Sequence, residues 1–522
     1  MFKVNFWIFM IICYGFCSIK KQKFIKFNMK KVVISILVGL LVATGFCFSG
    51  CKKKNDLDKI SANLTNYTLD VVLDADNKSA TVKQTVDYVN PSDVVLKNVC
   101  FHLYPQFFKE GATNYIVPST KMNTAYPYGL SYAKFNIQRV VVDGQDCAIK
   151  YLGECDGILD VPLNNSLLPN NRVKIEIDFN FTLPNCRHRF GYGDNTINIA
   201  NFYPIACVYD KEGFNVAPYH ANGDPFYSNM ANYEVLLKLD KNYVVASSGS
   251  LSSKTEDGNI ANYKYSAKAI RDFALVVSNK FKVMSAKAGD VNIEYYYFDD
   301  NYAESSLKAG VDAISTFSKK FGDYPYKNFA IVKADFIQGG MEFPNLVMIS
   351  ADITSVDDYL YVIVHETAHQ WWYGVVGNDE YVYPWLDEAL VEYCSILFYD
   401  YNKDYNLTHQ KMVEINRENY SLFITVYEDV LGEIDTSMRA VDKYSTEPEY
   451  TYCVYVKGVL MYESLNTLIG EKAFIKALNN YYKTYAYTNV TPDCLFKAFE
   501  EASGMSLQGF FDSWISGKVV IK

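Results

Sequence analysis

Period-two alternation of apolar and polar residues dominates the chain from about residue 65 to residue 285. YTLDVVLDA, SATVKQTVDYVN, RVKIEIDFNF, YEVLLKL and DFALVVS each place apolar side chains at every second position, with Asn, Gly, Asp and Pro between the runs. Alternation of charged with apolar residues predicts antiparallel strands with one wet face. From about residue 286 the texture changes. VNIEYYYF and FAIVKADF read as strands, with the helical stretch AESSLKAGVDAISTFSKKFG between them, and GGMEFPN leads into the strand LVMIS. Residues 361–393 then read as two helices joined by a turn, with an N-cap among residues 355–358 and Gly374 as the first stop. Beyond Glu388 the pattern is helical to the end, in pieces separated by Gly and Pro. The order is a β domain over 63–285, then a small mixed sheet with helices over 286–522.

The first fifty residues follow another pattern. Two apolar stretches, 4–18 and 32–49, flank a lysine-rich segment. The unit that starts at Met29 has the parts of a secretory signal: Lys30 and Lys31, an apolar core, then small residues. Its ending, Phe48-Ser49-Gly50-Cys51, resembles a bacterial lipobox, which implies cleavage after 29–50 and lipidation of Cys51. The alternative is an uncleaved anchor, since the run is near the lower length limit for a spanning helix. Both readings export the remainder and hold it at a membrane. Residues 1–28 read as an upstream extension and 51–62 as a lipidated cysteine with a polar tether.

Composition narrows the function. With 49% hydrophobic and 21% charged residues the 522-residue chain is a folded globular protein. Its net charge is −9, and residues 1–50 hold seven lysines and no acid, so the exported part is more acidic still. Such a body is a poor binder of nucleic acid. Twelve cysteines include no Cys-x-x-Cys pair, which argues against a zinc knuckle and a dense disulfide framework and leaves isolated thiols or one or two disulfides open. With 44 tyrosines in the chain, a tyrosine on its own carries no information.

The chemistry concentrates in HETAH, residues 365–369. Two histidines four apart project from one helix face and suit two corners of a tetrahedral metal site, and Glu366 is offset to reach the metal's water without being a ligand. A catalytic zinc needs a third protein ligand and an open position. Glu388 follows at the start of a second apolar helix, with Asp379, Glu380 and Asp387 as nearby competitors and Glu392 one turn further on the same face.

HETAHQWWYG followed by PWLDEALVEY resembles the aminopeptidase N family of gluzincins: the same HExxH, the same eighteen-residue gap, the same W-L-x-E-[GA] helix start. FYPIACVYDKEGFNVAPYHANGDPFYS and DFALVVS resemble that family's β domain. Tyr455-Val456-Lys457-Gly458 resembles its Tyr-x-Lys-Gly motif, and LQGFFDSWISG the end of its thermolysin-like domain. The resemblance implies a multidomain fold, an N-terminal antiparallel β saddle followed by a thermolysin-like catalytic domain of a small mixed sheet plus helices. The long helical C-terminal domain is expected to be absent and the cleft correspondingly open. It implies one Zn2+ held by His365, His369 and Glu388, with Glu366 as general base and Tyr455 as oxyanion donor. It further implies that Gly339, Gly340, Met341 and Glu342 bind substrate: the glycines offer an edge strand to the peptide, and Glu342 takes its free α-ammonium. Phe343 stands where the family motif has Asn, and no β-domain Gln or Glu partner for the amine is evident around residues 201–204. The expected function is removal of the N-terminal residue from peptides outside the cytoplasm. A non-catalytic peptide-binding surface protein and an endopeptidase on the same scaffold are the alternatives.

Overall fold

A computed structural model of the protein describes residues 56–112, 116–432, 434–519 and 521. Both N-terminal apolar stretches and Cys51 lie outside these residues. Among the described residues no helix is long and apolar enough to cross a membrane. Residues Leu57–Lys522 form one compact unit.

The β-rich part is built on an eight-stranded sheet. In spatial order its strands are Ser250–Asp257, Ile260–Ile270, Ala231–Asp240, Thr65–Asp74, Ser79–Val89, Arg172–Thr182, Lys134–Val142 and Gln145–Asp146. Neighbours are antiparallel except for Thr65–Asp74 and Ala231–Asp240, which run parallel with Leu69 opposite Val235. The alternation read from the sequence is the alternation of burial: Tyr67, Leu69, Val71 and Leu73 point into the core while Thr68, Val72 and Asp74 face out. Two four-stranded sheets, one centred on Leu275–Ser278 and Ile197–Ile199, the other on Leu96–His102 and Ile158–Leu167, add further layers.

The mixed sheet has the order Lys282–Ala288, Val291–Tyr297, Asn328–Ala334, Leu346–Ser350, Gly340–Met341. It thus takes in a strand that starts just ahead of residue 286. Its central pairs are parallel, with Ile331 opposite Val347, and Gly340–Met341 lies antiparallel to its neighbour at the edge. The helix Ala303–Phe321 buries Ala303, Leu307, Gly310, Ile314, Phe317 and Phe321, a spacing of three to four that lays one stripe on the sheet. The remaining helices, among them Val356–Ala368, Glu388–Tyr401, His409–Leu431, Lys457–Ile469, Glu471–Tyr485 and Pro492–Ser503, follow the segments read from the sequence. Among the described residues Cys100, Cys147, Cys186, Cys207, Cys394, Cys453 and Cys494 are free thiols.

Two buried charges join the β-rich part to the mixed part. The Arg271 guanidinium, at the end of the strand Ile260–Ile270, donates to the carbonyls of Ser228 (2.7 Å), Tyr373 (2.7 Å) and Thr488 (2.6 Å) and to the Asn489 side chain. A Cβ on Gly377 would run into that guanidinium, so the bare backbone there is what lets the chain pass over it. Asp335, at the end of the strand Asn328–Ala334, accepts from the Asn195 and Thr196 backbone N–H groups at 2.5 and 3.2 Å and from the Asn195 side chain at 2.9 Å. A buried charge tolerates burial only when its hydrogen-bonding capacity is met, and both are well satisfied.

His409 plays a comparable part among the helices. Its Nδ1 meets Asp400 at 2.5 Å and its Nε2 meets Glu463 at 2.9 Å, which pins the end of Glu388–Tyr401 and the start of His409–Leu431 to the middle of Lys457–Ile469. Burial opposes its charge, but the two carboxylates outweigh that and hold its pKa up at about 9.

Arg271→Met should lower stability by about 3 kcal/mol, because four acceptors would be left buried without a donor. Thermal or urea unfolding of the purified variant measures this. A loss below about 0.5 kcal/mol would show that the seam is held by apolar packing instead.

Candidate metal centre and active site

The helix Val356–Ala368 begins at Ser355, whose hydroxyl accepts from the Asp358 N–H, and Asp357 and Asp358 occupy the first turn where the helix dipole favours negative charge. Its buried face carries Leu360, Ile363, Val364, Thr367 and Ala368. The expected stop at Gly374 is not where it ends; it ends at Ala368. From there the chain turns through Tyr373, held at φ +109°, a region that bulky residues rarely adopt. That turn directs two successive carbonyls. Trp372 O receives His369 Nδ1 at 3.1 Å, and Tyr373 O receives Arg271.

His369 Nε2 is thereby left for a ligand, and it lies 3.2 Å from His365 Nε2 and 3.2 Å from Glu388 Oε2. His365 Nε2 lies 3.3 Å from the same carboxylate oxygen. Three donors at these separations outline one face of a tetrahedron. For metal bonds of ~2.0–2.1 Å a tetrahedral site has edges of ~3.3–3.4 Å, so the triangle has the size zinc requires. His365 Nδ1 is held by Glu392 at 2.8 Å, an outer carboxylate that orients the ring as carboxylate–histidine–metal sites do. Of the competitors for the third position, Asp387 caps the second helix by accepting from the Glu388 N–H at 2.9 Å, Asp379 accepts from Asn215 and the Val382 N–H, and Glu380 is buried away from the histidines beside Asp387.

Charge in the triangle is tightly coupled. Burial works against ionisation of Glu388, but His369 and His365 overcome it and hold its carboxyl well below the usual range. The same contacts hold His369 up at about 10 against its own burial. A dication binding here replaces protons on the imidazoles, as metal binding to histidine requires.

Glu366 leaves the helix beside the triangle. Burial pushes its carboxyl up to about 7, with His365 and His369 pulling the other way. A Cβ on Gly340 would collide with that carboxylate. The glycine therefore supplies room, and the edge strand passes directly over the Glu366 side chain. Gln370 fastens strand to helix, its Nε2 lying 3.4 Å from the carbonyls of Glu342, Phe343 and Glu366.

The departure at Phe343 has a structural answer. Phe343 is buried in the core. Asn345, two residues on and in the left-handed region at φ +63°, makes the bonds: its N–H donates to Gln370 Oε1 at 2.8 Å and its side chain to Ser248 O at 3.1 Å.

Glu342 itself is buried, and its Oε1 has no hydrogen-bond partner among the described residues. Burial, then the neighbouring Asp224, pushes its carboxyl well above the ordinary value. Asp224 is the residue that the sequence reading did not single out. Carboxylate oxygens of Asp224, Glu342 and Glu388 all lie within 4.8 Å of one another. Asp224 is fixed by an ion pair to Arg189 at 2.6 Å, and the Arg189 guanidinium sits over the Phe226 ring at 4.9 Å. The segment searched for such a group, 201–204, is committed elsewhere: Asn201 and Tyr203 both bond Asp272 in the core. The only hint in sequence was the position of Asp224 inside APYHANGDPFYS, and the β-rich part brings it to the cleft through space.

Tyr455 lies in a π-helical turn, Tyr452–Val456, between the helices Glu447–Thr451 and Lys457–Ile469. Such a turn re-aims one side chain and is common at functional sites. The ring stands 6.4 Å from the His365 ring and meets Tyr450 edge-on at 5.7 Å. Burial, followed by Glu388, keeps its phenol protonated far above neutral pH. The rest of the motif is structural. Lys457 is fully buried and donates to the carbonyls of Thr436 and Trp514, both at 2.6 Å. Gly458 packs on Ala389, so the helix bearing Tyr455 approaches the helix of Glu388 at the residue next to the ligand. Both small residues, Gly458 and Ala389, are explained by that contact.

These groups line one cavity of about 300 Å³. The cleft expected to be open is bridged: Lys121 of the β-rich part meets Glu447 of the helical part at 2.8 Å, and both line the cavity.

Comparison with known proteins agrees with this site. Residues 305–514 match the model of the Peptidase family M1 domain. Aminopeptidase M1-D of Oryza sativa subsp. japonica is 22% identical over 311 residues, 54% of this chain and 34% of the rice protein. Aminopeptidase N of Lactococcus lactis subsp. lactis is 24% identical over 236 residues, 41% of this chain and 26% of that one. The chain thus spans about a third or less of the length of these curated relatives. Among solved structures, the M1 zinc metallopeptidase from Deinococcus radiodurans superposes with a TM-score of 0.63 at 17% identity, covering 88% of this chain and 94% of that one. A variant of it bound to a Tyr-Ser-Ala substrate gives a TM-score of 0.61 at 16% identity, with 88% and 94% covered. Fold, metal-ligand triangle and family match converge: residues 305–514 carry the Peptidase family M1 domain, and the relatives and solved structures support the aminopeptidase N family of gluzincins.

Proposed function

We propose that this protein is an aminopeptidase with one zinc ion held by His365, His369 and Glu388. The observation that carries the reading is the buried Glu342 carboxylate, with an oxygen lacking a hydrogen-bond partner among the described residues, facing Asp224 beside the ligand triangle. Buried carboxylates left in that state call for a cation. A peptide's α-ammonium has the charge and the three donors to satisfy both, and it would fix the substrate one residue from its scissile bond.

His365, His369 and Glu388 would hold the zinc ion, which would supply Lewis acidity to the scissile carbonyl and bring the pKa of bound water to about 7. The remaining steps belong to the chain. Glu366 lies under the edge strand at Gly340, where the peptide backbone would pair. Its carboxylate, poised near 7 by burial, accepts the proton of the attacking water and returns it to the departing amide nitrogen. The C–N bond breaks as that nitrogen becomes an amine, and the water oxygen remains on the new carboxylate. The Tyr455 phenol, kept neutral by its surroundings, donates a hydrogen bond to the oxygen of the tetrahedral centre. Glu342 and Asp224 hold the ammonium. The complex of the Deinococcus protein with Tyr-Ser-Ala supports a peptide in a cleft of this fold.

The place of work follows from the sequence alone. We infer from Met29–Cys51 that the protein is exported and tethered to a membrane, through the lipid on Cys51 or as a signal anchor. Cys51→Ala should abolish incorporation of labelled fatty acid and move the protein out of the membrane fraction. A variant that stays in the membrane without label would favour the signal anchor.

Glu366→Gln should lower kcat about a thousandfold while leaving zinc content and unfolding temperature as they are. Tyr455→Phe should cost about a hundredfold in kcat with KM little changed. Steady-state kinetics on alanyl-p-nitroanilide with metal analysis separates these from simple loss of metal. If Glu366→Gln retained more than a tenth of the activity, the general-base role would be wrong.

An N-acetylated substrate should not be turned over, and Glu342→Ala should lower kcat/KM for free-amine substrates about a hundredfold, with Asp224→Asn in the same direction and smaller. Equal turnover of acetylated and free substrates would identify an endopeptidase instead.

A further inference from the structure

The edge strand gives the cleft a direction. Gly340 pairs with Ile349 and Met341 with Met348 on one side only. The other side is open to an added strand, so a peptide can pair there antiparallel. Glu342 marks the amine end. Gly340, over Glu366, marks the scissile bond. Gln338 lies two residues further back, in the bend that leads into this strand, and lines the same cavity, and two substrate residues beyond the cut would extend ~7 Å toward that end at ~3.4 Å per residue. The C-terminus of a tripeptide would fall there.

What surrounds Gln338 differs from the acidic end. Its Nε2 lies 3.1 Å from His188 Nε2, and its Oε1 is buried without a partner among the described residues. His188 is fully buried and kept neutral, first by burial, then by Arg189, with Lys121 adding to the effect. Lys121, Gln338 and Glu447 line the same cavity as the ligand triangle. Lys121 and Arg189 are the Lys and Arg side chains among its lining residues. Arg189 is buried against Asp224 and the Phe226 ring, whereas the Lys121 side chain is 37% exposed. Its partner Glu447, which also accepts from Thr120 Oγ1 at 3.1 Å, keeps a second bond when Lys121 leaves. A cavity of about 300 Å³ is at the small end for ligand sites and suits a short peptide.

We propose that Lys121 binds the C-terminal carboxylate of tripeptide-sized substrates, exchanging Glu447 for it, so that the site reads a short peptide at both ends. The substrate class is therefore short peptides with both termini free. This rests on the aminopeptidase reading, and the test separates the two. Wild-type protein is assayed on alanyl-p-nitroanilide, Ala-Ala-Ala and Ala-Ala-Ala amide. The anilide has no carboxylate, so its hydrolysis reports on the aminopeptidase reading alone. Wild type should prefer the free acid over the amide about tenfold in kcat/KM. Lys121→Ala should bring that preference to within twofold through a rise in KM for the acid, Lys121→Arg should restore it, and Glu447→Gln should lower KM for the acid. Anilide hydrolysis with equal use of acid and amide by wild type overturns the carboxylate site and leaves the aminopeptidase standing. So does a Lys121→Ala variant that keeps the tenfold preference, or that loses acid and amide activity by one common factor. No hydrolysis of any of the three by zinc-loaded wild type overturns both.

Discussion

Negative charge confined away from water is the constraint on which this cleft is built. Asp224, Glu342, Glu366, Glu388 and Glu392 line one cavity, and Glu342, Glu366 and Glu388 are buried. A carboxylate in that setting either finds positive charge or takes up a proton. The protein meets the demand differently at each position. Glu388 has two imidazoles and stays ionised. Glu392 has His365 Nδ1. Asp224 has Arg189. Glu366 and Glu342 have no dedicated cation, and theirs are the carboxyls that burial pushes up. These two are also the groups assigned to move a proton and to receive an ammonium. The chemistry is placed where the electrostatic demand is left unmet.

The turn after the first helix ties this chemistry to the architecture. Trp372 and Tyr373 offer consecutive carbonyls, one to a metal ligand and one to the guanidinium that joins the β-rich part to the helices. Backbone strain at Tyr373, of order 1–3 kcal/mol for a residue in such a region, is held in place by both bonds. The tautomer of His369 is therefore set by the same few atoms that fix the seam. The geometry of the His365–His369–Glu388 triangle and the packing of the β-rich part on the helices are one problem in this fold, and the β-rich part contributes Asp224, Arg189 and Lys121 to the same cavity.

Much of this was legible along the chain. Strands with one wet face show as alternation, and the helices past Glu388 show as amphipathic runs with Gly and Pro between them, because local periodicity follows burial directly. His365 and His369 were legible because helical spacing fixes them on one face, whereas Glu388 stood beside Asp379, Glu380 and Asp387 until the family resemblance singled it out. What was not legible depends on distances between segments remote in sequence. Asp224 reaches Glu342 across more than a hundred residues, and nothing local to GDPFY distinguishes it from a turn. The stop at Ala368 was misplaced at Gly374 because the turn is imposed by His369, Arg271 and Val376 from outside the helix, against the preference of Tyr373. The part played by Asn345 depends on a left-handed turn and on Gln370 of the next helix, neither of which shows in the residues around Phe343.

The glycines of the site mark these remote contacts better than its acids do. Gly340, Gly458, Gly377 and Gly223 share no unusual backbone conformation. Each is glycine because a Cβ would occupy space already taken: by Glu366, by Ala389 beside Glu388, by Arg271, and by the Tyr450 ring that abuts Tyr455. An acid in sequence states only that charge is available. A glycine without a turn to explain it states that something is close, and here the close object is in each case a site residue, its immediate neighbour or the seam that positions it. The tolerance of a catalytic constellation is a few tenths of an ångström, and helices or strands carrying side chains at those points would stand further apart than that. Backbone approach at Gly340 and at Gly458 is accordingly what sets the edge strand directly over Glu366 and brings the helix that follows Tyr455 against the helix of Glu388, so the spacing of strand, carboxylate and phenol is fixed by backbone contact and not by the acids themselves.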